Sequence, residues 1–516
     1  MELAVGITEM RPGWSTVLHQ IGVPYQKVEL GQPIDPDKVT VLILSSIPTA
    51  DQKENLYQFL KSGGAILSEA NFAASFLNLQ LKEIFIKYLH SNQDSVFSNV
   101  QLCDLEMECE IAMDAQHLPN QGGVKTVAIQ NYQNGKIVIL PSNFCKRLIE
   151  PRIISRRNFP PLTQKFPSER VSQVSTGSIR HIIQRALEHL FHSRELPFAQ
   201  TWFFPKGEKN IFAFRVDTDS ASKAEIEELY QICRRNDISA TWFVDTKSHQ
   251  NWIGYFSEME NQEIGHHCYE HRVYSDSYAT RLDMEKGLSI LKKTGVTPTG
   301  YAAPFGEWNS QLGQLIPEIG FAYSSEFGCA YDDLPFFPHF GTVFSKTLQV
   351  PIHPVSTRRL QLAKYNATQM VDYYLGVIQQ KLFLNDPVIF YDHPIHGHFR
   401  IFEQIFSEVR KKNILNMTLL DYQSWWRKRL NAGWRATFER GKLAIRSSNS
   451  DASIWLKLTY PDGKELLMPL DNPGKQIPFE NESQTLPYFD VTPKELRRYN
   501  LKMLWHDIES LYGKLR

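Results

Sequence analysis

Ile211-Phe-Ala-Phe-Arg-Val-Asp-Thr-Asp219 decides how the middle of this chain is read. An apolar strand ends in two acids, Asp217 and Asp219, and their i, i+2 spacing points both to one side of the strand's end. Two more stretches belong with it. In Glu263-Ile-Gly-His-His-Cys-Tyr-Glu-His271 the imidazoles of His267 and His271 are four residues apart, so one helical turn would bring both to one metal ion. In Val388-Ile-Phe-Tyr-Asp-His-Pro394 a second apolar strand ends in His393. Taken singly, each has a plain explanation. With 16 histidines in 516 residues, roughly 0.5 such His pairs arise by chance, so that pair alone is weak. An Asp-x-Asp at a strand end commonly serves a turn or a helix cap. Order and surroundings give the three stretches their weight.

Composition narrows the classes. A length of 516 residues exceeds what one hydrophobic core usually supports, so several domains are expected. Lys+Arg and Asp+Glu both total 56, which points to neither a nucleic-acid partner nor a polybasic membrane contact. No stretch approaches the roughly 20 apolar residues of a membrane helix. Met1-Glu-Leu-Ala-Val-Gly-Ile-Thr-Glu-Met10 has no basic segment leading into a long apolar run, so a cytoplasmic address is expected. The six cysteines are scattered and form no CxxC, which suggests neither a zinc knuckle nor a disulfide framework.

Outward from the centre, residues 1–150 alternate apolar strands (Leu3 to Ile7, Val39 to Leu44, Ala65 to Leu67, Lys136 to Leu140) with a helix over Thr49 to Lys61. This predicts an α/β layer with a largely parallel sheet of flavodoxin-like type. Residues 151–205 read as a linker with a packing helix over Ser178 to His192, and 206–430 as the central domain. Residues 431–516 show short alternating runs separated by turns, expected as a small β-sandwich, with a C-terminal helix starting at Thr492-Pro-Lys-Glu.

In the order of its elements, and through Tyr57-Gln-Phe-Leu-Lys-Ser-Gly-Gly-Ala-Ile-Leu-Ser-Glu-Ala70 and Gly135-Lys-Ile-Val-Ile-Leu-Pro-Ser-Asn143, the N-terminal portion resembles the degenerate class I glutamine amidotransferase-like domains. It lacks the Gly-x-Cys-x-Gly elbow of an active glutaminase, so a non-catalytic role is expected. The central domain closely resembles the polysaccharide deacetylases of carbohydrate esterase family 4, the NodB-homology group. Arg215-Val-Asp-Thr-Asp219 stands for the family's Thr-Phe-Asp-Asp-Gly, and Ala240-Thr-Trp-Phe-Val244 for its Ala-Thr-Phe-Phe-Val. Gln262 to His271 stands for its histidine motif, Gly295 to Gly306 for the segment ending Arg-x-Pro-Tyr-Gly, and His393 for the final histidine.

The resemblance implies a distorted (β/α) barrel of seven or eight strands with the site at the strands' C-terminal ends. It implies one divalent metal, zinc or alternatively cobalt or manganese, on Asp219, His267 and His271. Asp217 would be the general base, His393 the general acid, and the backbone N–H of Phe305 an oxyanion donor. Two departures stand out. Thr218 separates the acids that the family keeps adjacent, which moves the ligand role to Asp219. Ala302 replaces an arginine that orients the family's catalytic base, with Arg215 as the candidate substitute. Arg215, Pro304, Phe305, Trp308 and Tyr391 are the candidate substrate-binding residues, with Tyr323, Glu326, His396 and His398 nearby in sequence. The expected activity is removal of an N-acetyl or other acyl group from an amino sugar, glycan or glycan precursor. Hydrolysis of a small non-sugar amide or cyclic imide on the same barrel is one alternative. A catalytically silent carbohydrate-binding protein is the other.

Overall fold

The computed structural model describes residues 1–479, apart from 92–95, 99, 101, 114–116, 121–122, 151, 157–158 and 160–166, together with 505 and 508. The helix expected from Thr492 lies outside the described residues. The chain divides into two compact units. One contains the described residues of Met1–Glu150, Val174–Gly207 and Arg427–Tyr488; the other contains those of Pro151–Gln173, Glu208–Trp426 and Phe489–Arg516.

In the first unit a six-stranded sheet runs in the order Tyr25–Lys27, Val5–Ile7, Val41–Leu44, Ala65–Glu69, Gly135–Leu140, Ala128–Tyr132. The first five strands are parallel, and the last turns back antiparallel through Gln133 at φ 53. The three central strands are wholly buried or nearly so, as near-continuous Val/Ile/Leu runs should be when a sheet is covered on both faces. The same unit holds an antiparallel sheet of Phe198–Thr201, Trp455–Thr459, Glu465–Pro469 and Ile477–Pro478. Thus the C-terminal alternating runs do form antiparallel structure, and they recruit a strand from the segment before the central domain.

The second unit is built on a parallel sheet curled into a half-barrel. Its strands are β1 (Ile211–Asp217), β2 (Thr241–Asp245), β3 (Glu263–Cys268), β4 (Gly300–Tyr301), β5 (Tyr323–Ser324), β6 (Leu348–Gln349) and β7 (Val388–Asp392). They lie in the order β6-β5-β4-β3-β2-β1-β7, and β8 (Leu415–Asn416) also pairs with β1. All these pairings are parallel, so every strand delivers its C-terminal end to the same rim.

Helices return the chain between strands. The helix Lys223–Arg235 starts at a capping box in which Ser222 Oγ accepts from the Glu225 N–H at 3.3 Å and Glu225 Oε2 accepts from the Ser222 N–H at 2.7 Å. The helix Ala367–Leu384 starts with the analogous Asn366/Gln369 box and stops at Asn385 in the left-handed region. At the opposite rim, buried Glu263 ties β3 to its surroundings by accepting from Thr241 Oγ1 at 2.7 Å, the Leu420 N–H at 2.9 Å, and the Tyr323 hydroxyl. All six cysteines are buried and unbridged. Among the described residues no helix is long and apolar enough to cross a membrane.

Candidate metal centre

The C-terminal rim of the half-barrel gathers Asp217 from the end of β1 and Asp219 two residues beyond it, His267 and His271 from β3 and the turn after it, and His393 from just after β7. Asp219 Oδ1 lies 3.2 Å from His267 Nε2 and 3.0 Å from His271 Nε2, while its Oδ2 lies 3.5 Å from His393 Nε2. One donor atom from each of Asp219, His267 and His271 falls within 4.8 Å of the others. The two imidazoles do not converge by a helical turn, as their spacing suggested. Strand β3 runs on to Cys268, and the chain then reverses with His271 at φ 47.

The turn has its own fasteners. Asp283 accepts the N–H groups of Tyr269 and Glu270 at 2.9 Å each, and Thr246 Oγ1 donates to the Cys268 carbonyl at 3.0 Å. The Cys268 thiol, raised well above its usual range by burial, accepts from the His271 N–H.

The hydrogen-bond pattern tests whether a cation fits. His267 Nδ1–H donates to the Ala302 carbonyl at 2.8 Å, which leaves Nε2 as a lone-pair donor. That lone pair faces a carboxylate oxygen at 3.2 Å, and Asp219 Oδ1 is buried with no hydrogen-bond donor among the described residues. Two acceptors at this separation repel unless a cation or proton sits between them. Burial would raise the Asp219 carboxyl, but His393, His267 and His271 together hold it well below the usual carboxylate range. His271 answers in the opposite sense: burial lowers it, and Asp219 overrides this to hold it above the ordinary histidine value. Two nitrogens and one oxygen of this kind are a donor set for a divalent transition metal.

Asp217 is held differently. Arg215, on the same face of β1 two residues earlier, is wholly buried and grips both its oxygens: Nε to Oδ1 and Nη2 to Oδ2, each at 2.6 Å. The remaining guanidinium nitrogen Nη1 donates to the Ser325 carbonyl and lies 3.3 Å from Ser325 Oγ. The rings of Phe243 and Tyr391 flank the guanidinium at 5.2 and 5.6 Å. Burial raises the Asp217 carboxyl, but Arg215, His267 and His393 bring the net below its ordinary value.

Thr218, between the acids, points the other way. Its hydroxyl meets His249 Nε2 at 2.9 Å and accepts the Asp245 N–H at 3.0 Å. His249 was invisible in the sequence because only this pairing gives it a place. Burial lowers its pKa to about 4, so it is neutral.

The aromatic candidates divide by exposure. Phe305 stands 43% exposed at φ 61, its ring 4.9 Å from that of His271. Trp308 is buried and stacks on Phe340, Tyr391 is buried under Arg215, and Pro304 is buried. Arg215 turns its charge to Asp217 and shows none of its surface to solvent. Tyr323 is committed to Glu263, and Glu326 lies buried with Oε1 on the Ala303 N–H.

Asp392, next to His393 and unremarked in the sequence, fastens the last loop. Its Oδ1 accepts the His393 N–H at 2.7 Å and faces His396 Nδ1 at 3.2 Å, and its Oδ2 accepts the Thr357 N–H at 2.7 Å. Asp219, His271 and Phe305 all adopt positive φ, the kind of local strain that gathers at functional sites.

Residues 206–324 match the polysaccharide deacetylase family model. The chain therefore carries a polysaccharide deacetylase domain around these residues, and His393 lies beyond the matched stretch. A peptidoglycan deacetylase from Helicobacter pylori is 28% identical over 135 residues, 24% of this chain and 44% of that protein, so the similarity spans less than half of the relative. Among solved structures, peptidoglycan deacetylase PdaC from Bacillus subtilis is similar at 15% identity, with 43% of this chain and 94% of that chain covered and a TM-score of 0.32. A CE4 family pseudoenzyme from Bacillus anthracis is similar at 12% identity, with 43% and 68% covered and a TM-score of 0.31.

Proposed function

We propose that the deacetylase domain is a metal-dependent hydrolase that removes an acyl group, in the first instance acetyl, from an amino sugar, a glycan or a glycan precursor. The observation that carries this is the convergence on Asp219: two histidine nitrogens meet one oxygen, a third faces the other, and Asp217 stands two residues away in the grip of Arg215. Asp219, His267 and His271 would hold the divalent ion, zinc in this reading or else cobalt or manganese. When bound it supplies Lewis-acid polarisation of the amide carbonyl and a nucleophile at neutral pH.

The chain's own residues do the rest. Asp217, its carboxylate fixed by a two-point grip and kept ionised, accepts the proton of the attacking water. His393, on the far oxygen of Asp219 and with its backbone fixed by Asp392, protonates the departing amine. The Phe305 N–H donates to the carbonyl oxygen as negative charge develops there, and the exposed Phe305 ring offers a face to a sugar. Arg215 supplies to Asp217 what an arginine at position 302 supplies in the family pattern. The curated relative's name makes peptidoglycan fragments the first glycans to try. In the same reading, the half-barrel is the family's distorted (β/α) barrel, and the N-terminal sheet is a non-catalytic amidotransferase-like domain.

The test combines metal content with acetate release from chitin oligosaccharides and muropeptides, for wild type and a His267→Ala/His271→Ala variant purified alike. About one metal ion per chain and acetate release, both lost in the variant, are expected. Wild type that neither contains nor takes up zinc, cobalt or manganese would sink the hydrolase reading in favour of a silent binding protein.

A further inference from the structure

Asp245 ends β2 and is 2% exposed. Its backbone N–H goes to Thr218 Oγ1 at 3.0 Å, and its Oδ2 accepts from Ser248 Oγ at 2.5 Å. Its Oδ1 is buried and meets no hydrogen-bond donor among the described residues. The β2–β3 register also breaks here: Val244 pairs with His266 but Asp245 with Cys268, so His267 is the extra residue of a bulge opposite Asp245. Bulges re-aim side chains, and this one turns His267 while setting Asp245 beside it.

A charge count then singles out Asp245. A divalent ion on Asp219 and two neutral imidazoles leaves one positive charge uncompensated in a half-buried rim. Asp217 cannot supply the balance, because Arg215 already neutralises it through both oxygens. Asp245 is a buried carboxyl with an oxygen to spare. We propose that Asp245 is the outer counter-charge of the metal centre, a positioning residue that neutralises the second charge of the ion held by Asp219, His267 and His271 and so sets its affinity. This rests on the metal reading given above.

Electrostatics agree. Burial pushes the Asp245 carboxyl up, Ser248 opposes this, and His267 and His271 are near enough for positive charge on them to pull it back down. A local role competes: Asp245 also precedes the short helix Thr246–His249 as its N-cap. Asparagine caps a helix about as well as aspartate, so the two roles separate on substitution.

The experiment uses the full chain, stripped of metal, with zinc affinity read by competition against a chromogenic chelator and apo stability read by melting. Asp245→Asn should melt like wild type without metal, yet bind zinc about 10- to 100-fold more weakly, as loss of an outer-shell partner does. Ser248→Ala removes the hydrogen bond but keeps the charge, so it should hold zinc within about threefold of wild type on the same scale. Unchanged zinc affinity in Asp245→Asn would overturn the proposal. So would equal weakening in Ser248→Ala, which would assign the effect to local structure. Wild type that binds no zinc at all would fail at the metal reading itself and take this inference with it.

Discussion

Glu326 has its carboxyl wholly buried, Oε1 on the Ala303 N–H at 3.2 Å and Oε2 with no hydrogen-bond partner among the described residues. Burial outweighs the hydrogen bonds and the nearby Arg215 charge, and the carboxyl is pushed up to about 7. A folded-state pKa above the unfolded value means that the native state binds the proton more tightly. The resulting stability is present in full below pH 4.5 and is lost as pH rises through 7. A shift of this size corresponds to a loss on the order of 3 kcal/mol. Glu326→Gln keeps the acceptor for Ala303 and cannot ionise. Its melting temperature relative to wild type should therefore climb between pH 5 and pH 8; a flat difference across that range would contradict the buried-acid account. A protonated Glu326 also leaves Arg215 to Asp217. The same guanidinium also reaches the Ser325 carbonyl, 110 residues away. Separation on that scale is why Arg215 is legible in the sequence only as a neighbour of the acids, while the apolar run of β1 marks Asp217 as a strand end and Asp219 gains its weight from the motifs that follow.

At the level of elements, strand ends were easier to read than the turns between them. Apolar runs ending in Asp217 and His393 became β1 and β7, because a strand covered on both faces has a composition few other elements share. The His267/His271 spacing fitted a helix, yet pairing with β2 and β4 holds that segment extended. Such tertiary pairing overrides local periodicity, and neither Asp283 nor the left-handed turn at His271 is signalled by spacing. The approach of the helix Ser277–Lys292 to β3 depends on Gly287. A Cβ there would sit 2.3 Å from His266 Cε1, 2.9 Å from Thr246 Oγ1 and 3.2 Å from the Cys268 carbonyl. His266 cannot easily yield, since it is buried and stacked on Phe321 at 9°. Alanine is the better helix former by about 1 kcal/mol, whereas overpacking costs about 1–3 kcal/mol, so steric conflict should win. Gly287→Ala is expected to lower the melting temperature and, by pushing on the strand beside His267, to weaken zinc binding as well. A stabilised variant would show that the helix can retreat.

For the whole molecule, the two compact units give metal binding a distinctive thermal signature. Asp219, His267 and His271, the candidate donors, all belong to the unit containing Glu208–Trp426. An ion that binds only the native form stabilises it by about 2.7 kcal/mol at 100 times its dissociation constant. For a unit of this size that corresponds to about 5–10 °C. Calorimetry of the full chain should therefore show zinc raising the transition of the unit that holds these donors while a separate transition of the other unit stays in place. The shift should be absent in His267→Ala/His271→Ala. It should also shrink below about pH 6, because protons compete for the histidine donors. The sign follows from His271, whose folded pKa stands above the ordinary value and so favours the proton as pH falls. One transition that moves as a whole with zinc would mean that the units unfold together and share the stabilisation. A zinc effect that survived the double substitution would place the ion elsewhere, and would remove the main support for assigning hydrolysis to this rim.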